Sequence, residues 1–278
     1  MVKGYFDDSQ TPDRIWAIAG YVGDDHHWTE YKTLWPMALA THDVPYFHRR
    51  EMSKPNGVFK KWYPAHEHES ELAAFQGDLA KVIGQSGLRA FGSIVRLKDL
   101  NRFNAETGLR LDPYSLAAYG CMLIVGRDYL GHSVELIFDH VEKVESKLAR
   151  ARGYADADHY HGPDGVFEKV VLTGLPEEVT SKEVHAMLAA DFWVWEWRKH
   201  QLKLDEWHEI EGRPSDFDQR WAHMQEWFRS RPITLRKSAQ ALIERAPFIG
   251  IIWDHQQMCD AHQARDGLWS LTRGHHSE

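Results

Sequence analysis

The spacing of apolar and polar positions changes several times along the chain, and each change predicts an element. Residues 4–8 (GYFDD) and 15–22 (IWAIAGYV) are rich in β-branched and aromatic side chains, and the intervening SQTPDR is a cluster of turn formers. Together they predict a β-hairpin. Residues 28–40 read as a helix in which Pro36 predicts a kink or break. Residues 45–52 (PYFHRREM) predict a short extended piece before a loop at Lys54, Pro55, Asn56 and Gly57. Leu72, Phe75, Leu79, Val82 and Ile83 form a helical stripe over 66–84, closed by glycine.

Residues 88–97 (LRAFGSIVRL) predict a strand. Asp112 and Pro113 open a helix that runs to residue 130, with Gly131 just past its end. Residues 134–139 (VELIFD) predict a strand ending on an acid, followed by a short charged helix over 141–152 and a Gly- and Asp-rich loop over 153–165. A short strand at 170–173 and a strong helix over 183–202 complete this part. From 203 the pattern changes. Residues 203–232 are rich in charge and tryptophan, 235–245 read as a helix, 248–253 (FIGIIW) are a short apolar piece, and the tail from 270 is polar. A hairpin followed by strands alternating with helices argues for an α/β fold with a mixed sheet flanked by helices. The predicted organisation is an α/β domain over 1–202 and a helical C-terminal extension over 203–278, packed on it.

Composition narrows the function classes. The chain has 278 residues, 43% hydrophobic and 27% charged, which is enough for a sizeable core. There is no run of eighteen apolar residues and no secretory pattern at MVKGYFDDSQ, so the expectation is a cytoplasmic protein with no membrane partner. The two cysteines, Cys121 and Cys259, lack CxxC spacing, which argues against a disulfide framework and a cysteine zinc site. The formal net charge is −8, without the basic surplus of a protein that grips a long duplex.

The acids carry the chemistry. Asp7, with Asp8 next to it, ends the first strand, Asp139 ends the VELIFD strand, and Asp191 sits among Leu188, Ala189, Ala190, Phe192 and Val194 in a helix. A buried carboxylate needs a partner or a cation. Three carboxylates from separate elements at one sheet edge would make an oxygen-lined site for Mg²⁺ or Mn²⁺, suited to phosphodiester displacement. Solvated turn residues, or for Asp191 a helix cap or a buried hydrogen bond, are the competing readings. On an extended chain Asp7 and Asp8 point to opposite faces, which makes Asp7 the ligand and Asp8 a supporting residue.

Several segments resemble the bacterial family catalogued as domain of unknown function 3800, which has a ribonuclease H-like fold. The likeness covers roughly residues 4–200. FDDSQ matches the family's aromatic-Asp-Glu-Ser-Gly opening through Asp7, Asp8 and Ser9. YFHRREM and GVFKKW match a Phe-His pair followed by Gly-x-Phe-x-x-Trp, through His48, Glu51 and Trp62. LIFDH supplies Asp139, and MLAADFWVWE supplies Asp191. Asp8, Gln10 and Leu188 stand where the family usually has Glu, Gly and Gln. The resemblance implies metal-dependent action on nucleic acid, by fold analogy.

His48 is then a candidate general acid/base or phosphate contact, and Arg49 and Arg50 are candidate phosphate grips. Ser9 and Glu51 are candidate supports for the carboxylates. The alternatives for these residues are a partly buried histidine and surface charges. Asp156, Asp158, His159, His161 and Asp164 lack calcium-loop or zincin spacing and read as a solvated loop. Trp193 and Trp197, four apart, read as core rather than as a base-stacking platform. Two functions follow. One is a metal-dependent nuclease or other phosphodiester hydrolase acting on short or single-stranded nucleic acid. The other is a non-catalytic ribonuclease H-like module that binds a protein or nucleic-acid partner. A glycosidase-type carboxylate pair has no specific support.

Overall fold

The computed structural model describes residues 1–52, 54–157, 169–175, 184–211 and 248–263. The expected helix at 235–245, the segment at 203–232 beyond residue 211 and most of the expected loop at 153–165 lie outside them. The fold is α/β, with a mixed six-stranded sheet flanked by helices. Its described residues belong to two compact units. One draws on Met1–Asp25, Arg89–Val194 and Phe248–Glu278, and the other on His26–Leu88 and Trp195–Pro247.

The first unit holds the sheet, in the order β5-β4-β1-β2-β3-β6. β1 (Val2–Thr11), β2 (Ile15–Gly23) and β3 (Arg89–Arg96) are antiparallel neighbours. β4 (Val134–Phe138) runs parallel to β1, and β5 (Val170–Gly174) parallel to β4. β6 (Phe248–Trp253) runs parallel to β3 at the far edge. It comes from the range expected as a helical extension.

Three helices of this unit, Pro113–Asp128, Val144–Ala157 and His185–Glu211, were foreseen in part, and two, Leu97–Thr107 and His255–Gln263, were not. α3 (Leu97–Thr107) follows β3 directly. Its sequence buries only Leu100 and Phe103, a stripe too thin to separate a helix from a polar loop. α4 (Pro113–Asp128) starts as expected, with Asp112 as its cap: the Ser115 N–H donates to Asp112 Oδ2 at 2.8 Å. α4 is apolar nearly all round and nearly all buried, as a helix laid across a sheet must be. It covers the face carrying Phe6, Ile18, Val22 and Phe91, and the Cys121 thiol reaches the Ile18 carbonyl. α5 (Val144–Ala157) continues five residues into the expected loop and packs beside α4. α6 (His185–Glu211) begins in this unit. α7 (His255–Gln263) follows β6.

The second unit is an aromatic cluster held by two helices. α1 (Asp25–Thr41) accommodates Pro36 within its length, so the predicted break does not occur. α2 (Glu69–Gln85) presents Phe75, which meets Trp62 at 4.9 Å and Phe47 at 6.1 Å between ring centroids. Phe59 and Trp62, three apart in GVFKKW, stack on each other and pack on Phe75. The segment expected to be extended at 45–52 contains a 3₁₀ turn at Arg49–Glu51.

Candidate functional site

The first strand does not end at Asp7. β1 continues through Thr11, with Asp7 opposite Ala19, Asp8 opposite Ile18 and Ser9 opposite Ala17. What ends at this point is the pairing of β1 with β4, whose last register pair is Phe6 and Phe138. The Asp139 N–H donates to the Phe6 carbonyl at 2.8 Å. Asp139 therefore leaves β4 beside the peptide that leads into Asp7. The rings of Phe6 and Phe138 stack at 5.3 Å beneath this junction.

Strand alternation then separates the adjacent acids. Asp8 shares a face with Phe6 and Ile18, under α4 and α5. Asp7 shares the opposite face with Tyr5 and, across the ladder, with Ala19 and Tyr21. α6 lies on that second face, since Trp193 packs against Tyr21 with ring centroids 6.2 Å apart. Asp191 is two residues before Trp193, half-buried between Ala190 and Phe192, which are fully buried. Asp7, Asp139 and Asp191 thus converge from a central strand, the end of its parallel neighbour and a covering helix.

Electrostatics records the convergence. Asp7 is held well above the usual carboxylate range, first by burial and then by the negative charges of Asp191, Asp139 and Asp8. The Asp8 N–H, donating to Asp7 Oδ1 at 2.8 Å, works the other way but does not offset them. Asp8 is pushed up to about 6 by burial and by Asp139, while Lys147 pulls it down. Lys147, on α5, holds its ammonium 5.1 Å from the Tyr114 ring and 5.7 Å from the Trp16 ring. The Tyr114 hydroxyl is itself driven up by burial and by Asp8, Asp7 and Asp139. Lys147 and Tyr114 are neighbours of the acids that sequence reasoning missed. Neither sits in a motif, and only the packing of α4 and α5 on the Asp8 face brings them near. Asp139 also accepts from the His140 N–H at 2.8 Å.

The candidates His48, Arg49, Arg50 and Glu51 belong to the second unit. His48 and Glu51 approach to 3.9 Å, and the Tyr46 hydroxyl donates to Glu51 Oε2 at 2.7 Å. Arg49 donates to Glu196 Oε1 at 3.2 Å and lies 3.7 Å over the Trp195 ring. Arg50 is exposed. Trp193 and Trp197 are buried, in keeping with a core role. Asp158, His159, His161 and Asp164 lie outside the described residues, and so does the side chain of Asp156.

The donor set suits a hard divalent ion. Three carboxylates offer only oxygen, which Mg²⁺ and Mn²⁺ prefer. Like charges gathered at a half-buried place are what such an ion would relieve. None of the described helices is long and apolar enough to cross a membrane. Compared with known proteins, the chain matches no family model and no curated protein.

Proposed function

We propose that the chain is a divalent-metal-dependent nuclease or related phosphodiester hydrolase built on a ribonuclease H-like fold. The observation that carries this reading is the convergence of Asp7, Asp139 and Asp191 from three elements at the place where β1 outruns β4. A mixed sheet with Asp7 on a central strand and Asp139 just past the end of its parallel neighbour supports that reading. Asp7, Asp139 and Asp191 would hold Mg²⁺ or Mn²⁺. When bound, such an ion polarises a phosphoryl oxygen and makes water nucleophilic near neutral pH.

The chain's own contribution is placement. The β1–β2 ladder on both sides of Asp7 fixes its carboxylate on the α6 face. The Asp139 backbone bond to Phe6 fixes the second. Asp8 sits on the other face with Lys147 near it, so its charge adds to the field at Asp7 without competing for the same position. With a net charge of −8, a short or single-stranded substrate fits better than a long duplex.

The test is cleavage of end-labelled single-stranded DNA and RNA oligonucleotides in Mg²⁺ and in Mn²⁺. The wild type, Asp7→Asn, Asp139→Asn, Asp191→Asn, His48→Ala and Arg50→Ala are compared. Metal-dependent cleavage lost in all three Asp→Asn variants is expected, with smaller losses in the other two. Binding of oligonucleotide with no cleavage in either metal would instead favour the non-catalytic module.

A further inference from the structure

A second group of metal-ligating side chains stands in the first unit, away from the carboxylates in sequence and of different chemistry. Glu106, His255 and Cys259 each offer one ligand atom, and these atoms lie within 4.8 Å of one another. We propose that they form a site for a borderline transition-metal ion of the Zn²⁺ type, clipping α7 to α3. The sequence reading set cysteine zinc sites aside for want of paired cysteines. One cysteine, a histidine four residues before it and a glutamate from another helix escape that spacing rule.

The local fold explains why the three meet. β3 and β6 are parallel neighbours, and each runs directly into a helix: β3 into α3, and β6 through Asp254 into α7. The two helices therefore leave the same end of the sheet side by side, and they pack together. Arg96 and Asp254 face each other at this junction at 3.8 Å, and Asp254 Oδ1 caps α7 by accepting from the Gln257 N–H at 2.9 Å. His255 and Cys259, four apart, share one face of α7. Glu106 reaches that face from the last turn of α3, and Phe103, one turn earlier, sets its ring edge against His255.

The geometry is close to what tetrahedral coordination needs. Metal–ligand lengths of about 2.0–2.3 Å at tetrahedral angles separate neighbouring ligand atoms by roughly 3.3–3.6 Å. Cys259 Sγ is 3.8 Å from the His255 ring nitrogens. Glu106 Oε2 is 2.7 Å from His255 Nε2, a hydrogen bond that must open by about half an ångström to admit an ion at those lengths. Glu106 is exposed on a long side chain and can make that adjustment. Its other oxygen, Oε1, accepts from Arg102 Nε at 2.7 Å, which orients the carboxylate and leaves Oε2 turned to the ring. Arg102 also places a positive charge nearby, and Asp99 and Asp260 act against it. The mixed N, S, O donor set distinguishes this site from the all-oxygen set around Asp7: Zn²⁺ accepts all three, whereas Mg²⁺ does not favour thiolate. Three protein ligands leave a fourth position for water.

Co²⁺ reports thiolate ligation by a sulfur-to-metal charge-transfer absorption. The full chain, reduced and freed of metal, is titrated with Co²⁺ and then back-titrated with Zn²⁺. The account predicts a saturable absorption displaced by Zn²⁺, with an end point of one Co²⁺ per chain in Asp7→Asn, where the carboxylates no longer compete for the ion. It should be absent from Cys259→Ser, at least tenfold weaker in His255→Ala and unchanged in Asp7→Asn, so failure here is separable from failure at the carboxylates. The sequence has only one other cysteine, Cys121, and it is buried on the sheet-facing side of α4. A charge-transfer band that persists in Cys259→Ser, or no band in the wild type, overturns the proposal. As a check that needs no variant, Zn²⁺ should slow alkylation of Cys259 in the wild type at least tenfold, and equal rates would equally overturn it.

Discussion

Asp8 offers the sharpest quantitative consequence of placing two acids in succession on one strand. Its carboxyl is pushed from an ordinary 3.8 up to about 6 in the folded protein. An unfolded chain ionises it near the ordinary value, so between 3.8 and about 6 the native state binds more protons than the unfolded state. Stability falls as pH rises through that window, and the full loss is present above it. At 1.36 kcal/mol per pH unit, the interval amounts to about 3 kcal/mol. Asn has the same shape and cannot ionise, so Asp8→Asn removes the loss. We expect the metal-free variant to be more stable than the wild type by about 1–3 kcal/mol at pH 8, with the two converging toward pH 4. Urea unfolding in EDTA at half-unit steps from pH 4 to 8, compared as a difference curve, reads the loss of the Asp8 carboxyl together with the relief of its field at Asp7. No gain at pH 8, or a difference that is flat between pH 4 and 6.5, would refute the reasoning.

Four further outcomes follow from the same contacts. Asp7→Asn removes the acid most strongly opposed by its surroundings, so it too should raise the urea midpoint of the metal-free protein above pH 6, while abolishing metal binding; a lower midpoint would count against the burial argument. Asp112→Ala deletes the cap of α4 and should cost about 1 kcal/mol in urea unfolding, with Asp112→Ser recovering most of it. Gly20→Ala would drive a methyl group into the Tyr5 carbonyl across the β1–β2 ladder, so the variant should lose about 3 kcal/mol or more, seen as a collapse of the thermal midpoint. Arg49→Ala gives up the Glu196 contact and the stack on Trp195. It should cost about 1 kcal/mol and shift tryptophan fluorescence, and Arg49→Lys should recover little of the stacking.

How much of this was legible in the sequence depends on what each element uses as its signal. The hairpin, the buried α4 with its Asp–Pro start and the VELIFD strand announce themselves because apolar pattern and punctuation agree. The assignment of Asp7 and Asp8 to opposite faces needed only strand alternation. The end of β1 was misplaced because polar residues at 9–11 look like a turn, yet the ladder with β2 pairs them all. α3 hid because two buried side chains suffice to dock a helix that short. β6 was readable as apolar but not as a strand of this sheet, since its partner β3 lies more than 150 residues earlier and nothing local encodes a parallel edge pairing. For the same reason Lys147 could not be placed near Asp8, nor Glu106 near His255 and Cys259. Those neighbours are created by helices docking on a sheet, and single-sequence periodicity carries no information about which helices meet.

The claim that matters most is that Asp7, Asp139 and Asp191 form one site for a divalent ion. Calorimetric titration with Mn²⁺ and with Mg²⁺ tests it, on the wild type and on the three Asp→Asn variants, each with and without a single-stranded oligonucleotide to supply phosphate oxygens. The account predicts saturable binding by the wild type in at least one of the two conditions and its loss in all three variants. Wild-type binding that survives any two of the substitutions, or no binding even with oligonucleotide present, would contradict it.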